Sequence, residues 1–271
     1  MSWFTKHACG AVVTALACFP AAQAAYAADL SEPAPMVGEA ISNFDIAFGV
    51  KLASEYNLRS VSQTSGDPAI QGYAELSAFD WVYAGFWGSN VNFGGSDPSA
   101  ELDYYGGLRH SWGGLTLDGG YLYIDYVGAD KGFRSLDFWK IYGIAKYAFS
   151  DDLSIGANVY WTSDFINTGI DSTHASLFGK YSLPSFDAAP NLKFYISAEI
   201  GRFWAEKKFV PDYTFWNAGG GVSYKAMTLD LRYTDSQLSR SECATFIGQR
   251  NSCGARFMAS LSFDTSLSKL K

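Results

Sequence analysis

The chain has 271 residues, a formal net charge of −7 and a sequence pI of ≈ 4.9. An acidic chain lacks the basic patch that nucleic-acid binding requires, so that class of partner is excluded. Aromatic residues make up 17% of the sequence and 27 residues are glycine, a combination typical of closely packed strands and of rings that anchor at a lipid boundary.

The first thirty residues have the layout of a secretory signal peptide. Lys6 precedes an apolar run from Ala8 to Phe19, and A-x-A cleavage sites end at Ala24 and Ala27. The run is too short to cross a membrane as a helix. We therefore predict a signal peptide over residues 1–27, an N-terminal periplasmic segment over 28–42 and a membrane domain over 43–271. Because cleavage of the signal peptide removes Lys6, the formal net charge of the mature chain is −8.

The first predicted strand starts at Asn43. In "NFDIAFGVKLASEY" the apolar side chains alternate with polar ones, and period two indicates a strand rather than a helix. Eleven further segments show the same alternation, each near the length of about 9–11 residues that a tilted barrel strand needs. They are Ala69–Phe79, Trp81–Phe93, Ala100–Trp112, Leu115–Tyr126, Leu136–Phe149, Leu153–Asp164, Asp171–Leu183, Asn191–Trp204, Tyr213–Tyr224, Met227–Ser236 and Ala255–Asp264.

The connections between these segments alternate in length. Tight turns occur at Asp80, at Gly113 and Gly114, at "SDD" and at "KA", whereas the joins between them are longer, with "PSFDAAP" as the departure. An even strand count with short turns on one rim and long loops on the other is the arrangement of an outer-membrane protein. The sequence therefore predicts an all-β fold, a closed antiparallel transmembrane β-barrel of twelve strands with up-and-down topology. A soluble periplasmic β-sandwich is the alternative.

Six tryptophans lie at or near the ends of predicted strands, and most of them share the apolar phase. This placement favours interfacial girdles over a soluble core. The six are Trp81, Trp112, Trp139, Trp161, Trp204 and Trp216.

The polar phase of the strands carries charged residues, which a dry core could not hold but a wet channel can. By strand phase we predict these lumen-lining residues: Asp45, Lys51, Glu55, Glu75, Glu101, Asp103, Arg109, Lys180, Lys193, Glu199, Asp230, Arg232 and Arg256. Asp118, Lys140 and Lys146 have an ambiguous phase and stay outside the set. With them, eight residues are acidic and eight basic, so the sequence predicts no preference between anions and cations.

Two cysteines remain after signal cleavage, Cys243 and Cys253, close together in a polar stretch. In an oxidising compartment such a pair indicates one local disulfide. A metal site is the alternative, but it would need further ligands and no histidine lies near. We expect no metal and no cofactor.

The segment "SEYNLRSVSQTSGDPAIQGYAELS", with "VYAGFWGSNVNFG" and "ELDYYGGLRHSWGGLTLDGGYLYIDY", resembles the TorF family of proposed porins of Gram-negative bacteria. In that family a strand leads to an arginine, a Ser-Gln-Thr turn, a Pro-Ala pair and a Gln-Gly pair; here these are Arg59, Ser62, Gln63, Thr64, Pro68, Ala69, Gln71 and Gly72. The paired cysteines also resemble the family. Ser60 departs from the glycine expected after the arginine. The resemblance implies an outer-membrane location and passive solute passage.

The predicted function is therefore an outer-membrane, porin-like channel for small hydrophilic solutes, and not an enzyme. Its expected partners are outer-membrane lipid, lipopolysaccharide and the barrel assembly machinery. Arg59 and Gln63 are predicted to lie in the first loop at the channel mouth, where Arg59 would hold Glu55 or Glu75, or meet an anionic solute.

Two other functions stay open. A barrel whose charges pair across and close it would serve as a scaffold or adhesin. An outer-membrane enzyme would need a histidine beside a serine or carboxylate, for which His174 with Ser172 and Ser176 is the candidate. His110, near a strand end in the apolar phase, is expected in the girdle.

Overall fold

The computed structural model describes residues 44–94, 98–128, 135–184, 186, 191–206 and 211–270. The predicted signal peptide and N-terminal segment lie outside these residues. The described part contains twelve long strands and a two-stranded hairpin. The long strands are β1 (Phe44–Ala53), β4 (Ala69–Ala78), β5 (Val82–Asn90), β6 (Ala100–Trp112), β7 (Leu115–Val127), β8 (Phe138–Ala148), β9 (Leu153–Thr162), β10 (Ser172–Ser182), β11 (Leu192–Ala205), β12 (Tyr213–Tyr224), β13 (Met227–Ser236) and β14 (Arg256–Ser266). The hairpin is β2 (Asn57–Leu58) with β3 (Val61–Ser62).

The long strands form a closed barrel in which each strand pairs antiparallel with its neighbours in sequence. β1 closes the sheet by pairing with β14, where Ala47 faces Ser266, and with β4, where Ala53 faces Ala69. Closure leaves no unpaired sheet edge, which is the condition for a sheet to exist in a bilayer. The predicted twelve-stranded up-and-down barrel is confirmed.

The barrel exterior is apolar. Outward-facing Leu108, Leu177, Ile196 and Leu231 are all more than half exposed, as are several other large aliphatic and aromatic side chains of the same phase. Trp81, Trp112, Trp161, Trp204 and Trp216 are also exposed on this face near the strand ends. An apolar band between aromatic girdles is the lipid-facing surface of a transmembrane barrel.

Short helices occur outside the barrel strands in the described residues. Helix α1 (Arg240–Ile247) lies in the long connection between β13 and β14, and 3₁₀ turns occupy Phe165–Asn167 and Leu267–Leu270. Ser239 caps α1 in a capping box with Glu242, and Gly248 ends the helix with a φ of 76°. No helix in the described ranges is long and apolar enough to cross a membrane.

Candidate functional site

The connection between β1 and β4 folds into the long-loop end of the barrel. Its hairpin turns at Arg59 and Ser60, with φ values of 50° and 63°. Two consecutive positive φ angles are those of a type I′ turn, which suits a two-residue hairpin. Val61, Gln63 and Thr64 are fully buried. The segment that the sequence assigns to an external loop is therefore an internal hairpin.

Arg59 reaches the wall opposite the base of the hairpin. Its Nη1 lies 2.7 Å from Nδ1 of His174 on β10, and its guanidinium lies 5.6 Å from the ring centroid of Phe203. In the closed strand order, β10 stands five strands from β1 and six from β4. The hairpin therefore spans the interior at this level.

Ser60 fixes the tip of the hairpin to β12 and β13. Its Oγ lies 2.5 Å from Oγ1 of Thr234 and donates to the backbone oxygens of Asp235 (2.7 Å) and Trp216 (3.4 Å) as alternative acceptors. A glycine would adopt the same positive φ but would supply no hydroxyl. Ser60, where the TorF pattern has glycine, thus places a polar contact at the hairpin tip.

The last long connection covers the hairpin. Cys243 and Cys253 are joined by a disulfide, and Cys253 pairs with Val61 through a β-bridge. The amide of Ser62 donates to the backbone oxygen of Ser252 at 2.6 Å. Phe246 of α1 is fully buried and packs on Phe203 and Tyr213. The hairpin and the disulfide-linked connection therefore form one packed unit, named the plug here (residues 54–67 and 237–255).

Arg59 and Gln63, predicted to lie at the channel mouth, are buried. Their side chains are 7% and 0% exposed. The two carboxylates that were candidates to bind Arg59 form salt bridges with other arginines. Glu55 accepts from Arg256 at 2.9 Å and Glu75 from Arg109 at 2.8 Å.

Below the plug, one wall of the lumen is filled by a buried ionic cluster. Arg109 donates from Nη1 to Glu75 and from Nε to Asp118, both at 2.8 Å, and its guanidinium lies 4.1 Å from the ring centroid of Tyr83. Tyr83 donates to Asp118 at 2.5 Å and accepts from Tyr142. One guanidinium thus contacts two carboxylates, so the cluster has a formal charge of −1 while each carboxylate keeps a cation in contact.

The opposite wall is partly exposed and carries a hydrogen-bonded network. Arg232 donates to Asp230 at 3.1 Å, to Asn217 at 2.5 Å and to Ser197 at 2.9 Å. The amide of Asn217 donates to Glu199 at 2.9 Å. The side chains of Arg232 and Asp230 are 22% and 16% exposed. Solvent therefore reaches this wall, in contrast to the buried cluster around Arg109.

The remaining predicted lumen residues lie on the inward phase of their strands. Lys180 Nζ stands 4.3 Å from the ring centroid of Tyr195. Asp45 accepts from the amide and hydroxyl of Ser268 at 3.0 and 2.8 Å, which holds the C-terminal turn. Glu101 and Asp103 are fully buried beside the plug, and Tyr56 donates to Glu101 at 3.0 Å. Lys51 and Lys193 are exposed on the inward phase of β1 and β11.

Asp118 and Lys140, the polar-phase residues whose phase is ambiguous in the sequence, are both buried inside the barrel. Several inward tyrosines, in contrast, are not predicted from the sequence. Tyr83, Tyr105, Tyr142 and Tyr160 face inward, although tyrosine was grouped with the girdle residues. Alternation within each strand is the sequence signal that could have placed these tyrosines inside. Glycines on the same inward face leave room for their rings, since a Cβ at Gly120 would lie 2.5 Å from Tyr142 Oη.

Metal binding has no obvious site in the described ranges, where no group of three or more potential metal-ligating side chains occurs. His174 is instead occupied by a cation and an aromatic ring, since Tyr160 stacks on it at 4.6 Å with an interplanar angle of 15°.

Solved structures similar to this chain are outer-membrane channels and porins at low identity. An outer-membrane channel from Pseudomonas putida F1 is 12% identical, with a TM-score of 0.47, and the match covers 87% of this chain and 100% of that one. The KdgM porin is 8% identical with a TM-score of 0.49, covering 81% and 98%. The NanC porin is 13% identical with a TM-score of 0.47, covering 81% and 98%.

A comparison with the curated proteins finds no match. A family model described as "bacterial protein of unknown function (Gcw_chp)" matches residues 37–263. This span includes every barrel strand except the end of β14. The chain therefore belongs to the Gcw_chp family of bacterial proteins.

Proposed function

We propose that this protein is an outer-membrane channel for the passive diffusion of small hydrophilic solutes, with the plug as its constriction. The observation that carries the proposal is the partly exposed inner wall around Arg232. A barrel that acts only as a scaffold does not need a solvated interior. A solvated polar wall is what a route for solutes requires. The resemblance to the TorF family supports the same function and location.

The charge arrangement argues for weak ion selectivity. Arg109, Arg232 and Arg256 each contact a carboxylate. A solute that passes these groups meets charges of both signs in contact rather than a row of like charges, so neither sign of ion gains a large advantage. Small uncharged polar solutes are accordingly the preferred class.

Two features bear on the alternatives. The plug fills the long-loop end of the lumen, which favours a narrow or intermittently open channel over a wide pore, and a permanently closed scaffold would share this feature. For the enzyme, His174 directs Nδ1 to Arg59 and its ring to Tyr160, so the arrangement favours a structural histidine over a general base.

Planar-bilayer recording tests the proposal. Purified protein, verified as a closed barrel by its heat-dependent migration in SDS gels, should give discrete conductance steps. In a potassium chloride gradient the reversal potential should stay near zero. A verified barrel that gives no steps would contradict the channel and favour the scaffold.

A further inference from the structure

We infer that the contact between Arg59 and His174 makes the plug a proton-operated gate, closed at neutral pH and released by acid. The inference rests on the proposed channel function, because it assigns a regulation to that channel. Its physical basis is the direction of one hydrogen bond.

The bond between Arg59 and His174 fixes the protonation state of one imidazole nitrogen. A guanidinium has only donors and does not lose its proton in proteins, so Arg59 Nη1 must donate. His174 Nδ1, 2.7 Å away, must therefore be the acceptor and carry no proton. An imidazolium has a proton on both nitrogens and cannot accept. The docked hairpin is consequently compatible with neutral His174 and incompatible with its cation.

The surroundings of the imidazole add to this incompatibility. One site inside the barrel is lined by Arg59 from the hairpin, Lys140 from β8, Tyr160 from β9, His174 from β10 and Phe203 from β11. Protonation would place a third cation against Arg59 and Lys140 at a site that is 3% exposed at His174. Little solvent is present there to screen the repulsion.

Two fully buried carboxylates at this end of the barrel, Glu101 and Asp103, lie on another wall. Glu101 and Asp103 belong to β6, four strands from β10 in the closed order, and Glu101 accepts from Tyr56 at the base of the hairpin. When His174 is protonated, its hydrogen bond no longer holds Arg59 at β10, and the negative charge of these carboxylates favours a position of the guanidinium away from β10. The charge arrangement thus defines two positions for the hairpin, with Arg59 at β10 or withdrawn from it.

The link to conduction follows from what the hairpin occupies. Arg59 and Ser60 are adjacent at the turn, so withdrawal of Arg59 strains the contacts of Ser60 with Thr234 and Asp235. Those contacts hold the tip over β12 and β13, and the solvated wall around Arg232 is formed by β11, β12 and β13. Release of the tip therefore opens the long-loop end of the same wall.

Single-channel recording across pH tests the gate. From about pH 7.5 to about pH 4.5, the range in which a histidine changes charge, the open probability of the wild type should rise, by up to about tenfold per pH unit for one coupled proton. His174→Gln should hold the low neutral-pH value throughout, because the glutamine amide oxygen accepts from Arg59 but does not titrate. His110→Gln is the matched control. It removes a histidine whose ring stacks on Trp81, and it should keep the wild-type response.

A second measurement reports hairpin movement without conduction. The amide of Gln63 donates to Tyr56 and is buried with the hairpin. Its hydrogen exchange, compared at one acidic pH, should be faster in the wild type than in His174→Gln and equal at neutral pH. If no variant conducts at any pH, the channel proposal fails, and the exchange result still decides the switch. A wild type with flat open probability and equal exchange, or a His174→Gln protein that responds like the wild type, would overturn the inference.

Discussion

The side-chain hydroxyls of Ser60 and Thr234 lie 2.5 Å apart, although 174 residues separate them in the sequence. Ser60 is at the turn of the internal hairpin and Thr234 is on the inward face of β13. This contact ties the first connection of the barrel to a wall formed near the end of the chain. It makes the position of the hairpin a property of the complete barrel rather than of a local turn.

Removing the hydroxyl of Thr234 should loosen the hairpin. Thr234→Val keeps the shape of the side chain but removes its bonds to Ser60 and to the backbone oxygen of Trp216, each worth about 0.5–1.5 kcal/mol for a typical hydrogen bond. Hydrogen exchange of the Gln63 amide should accelerate and the open probability should rise. Thr228→Val is the matched control, because Thr228 bonds Ser223 at 2.8 Å next to a tight turn away from the hairpin. Equal effects of the two substitutions would contradict the role of Ser60.

The ionic cluster around Arg109 should contribute strongly to barrel stability. Arg109→Leu leaves the buried carboxylates of Glu75 and Asp118 without their cation, and breaking a buried pair in this way costs about 3–5 kcal/mol. Urea unfolding in lipid vesicles, followed by tryptophan fluorescence, measures the loss. Arg232→Leu should cost clearly less, since Arg232 is partly exposed to solvent. A larger loss for Arg232→Leu would refute this ranking of the two walls.

Loss of the disulfide should loosen the connection between β13 and β14, which covers the hairpin, without opening the barrel. The double substitution Cys243→Ser with Cys253→Ser removes a cross-link between residues ten positions apart, and such links typically contribute about 2–4 kcal/mol. Proteolysis should then cut the connection between β13 and β14 faster. Heat-dependent gel migration, which reports barrel closure, should stay unchanged. Loss of that migration shift would show that the barrel itself depends on the disulfide.

The helix of the last connection should weaken at acid pH. Hydrogen bonds from the side chain and amide of Ser239 hold the pKa of Glu242 below its ordinary value. A carboxyl with a lowered folded-state pKa stabilises the fold above its unfolded pKa, and this contribution disappears as the pH falls through the folded value. Nuclear magnetic resonance of the α1 amides should therefore show fraying in acid. Ser239→Ala should fray at neutral pH already, and an α1 that is equally ordered in both proteins at all pH values would contradict the capping role.

Much of the barrel could be predicted from alternation alone. In β1 and β13 large apolar side chains recur at every second position over most of the strand, because one face meets lipid and the other meets the lumen. The inward phase of β6 was likewise predictable, since Glu101, Asp103 and Arg109 cannot face hydrocarbon. The sequence therefore predicts which side of a strand faces the lumen wherever that side carries charged residues.

The plug could not be predicted in the same way. Its hairpin strands have two residues each, too few for a periodic signal. Its turn uses Arg59 and Ser60, where an Asn-Gly pair would have marked a type I′ turn. Its burial depends on side chains from β10 to β13, which only the closed barrel brings near. Polar composition alone favours an exposed loop, and here the polar groups are satisfied inside the barrel instead.

The most direct test of the channel with an internal constriction is the single-channel conductance of a protein without the hairpin. Replacing residues 56–66 by a short Gly-Ser connection keeps Glu55 for Arg256 and leaves the Ala53–Ala69 pairing of β1 with β4 in place. A barrel verified by heat-dependent migration should then conduct several-fold more than the wild type, because the hairpin no longer occupies the lumen. An unchanged conductance in that verified barrel would contradict the account.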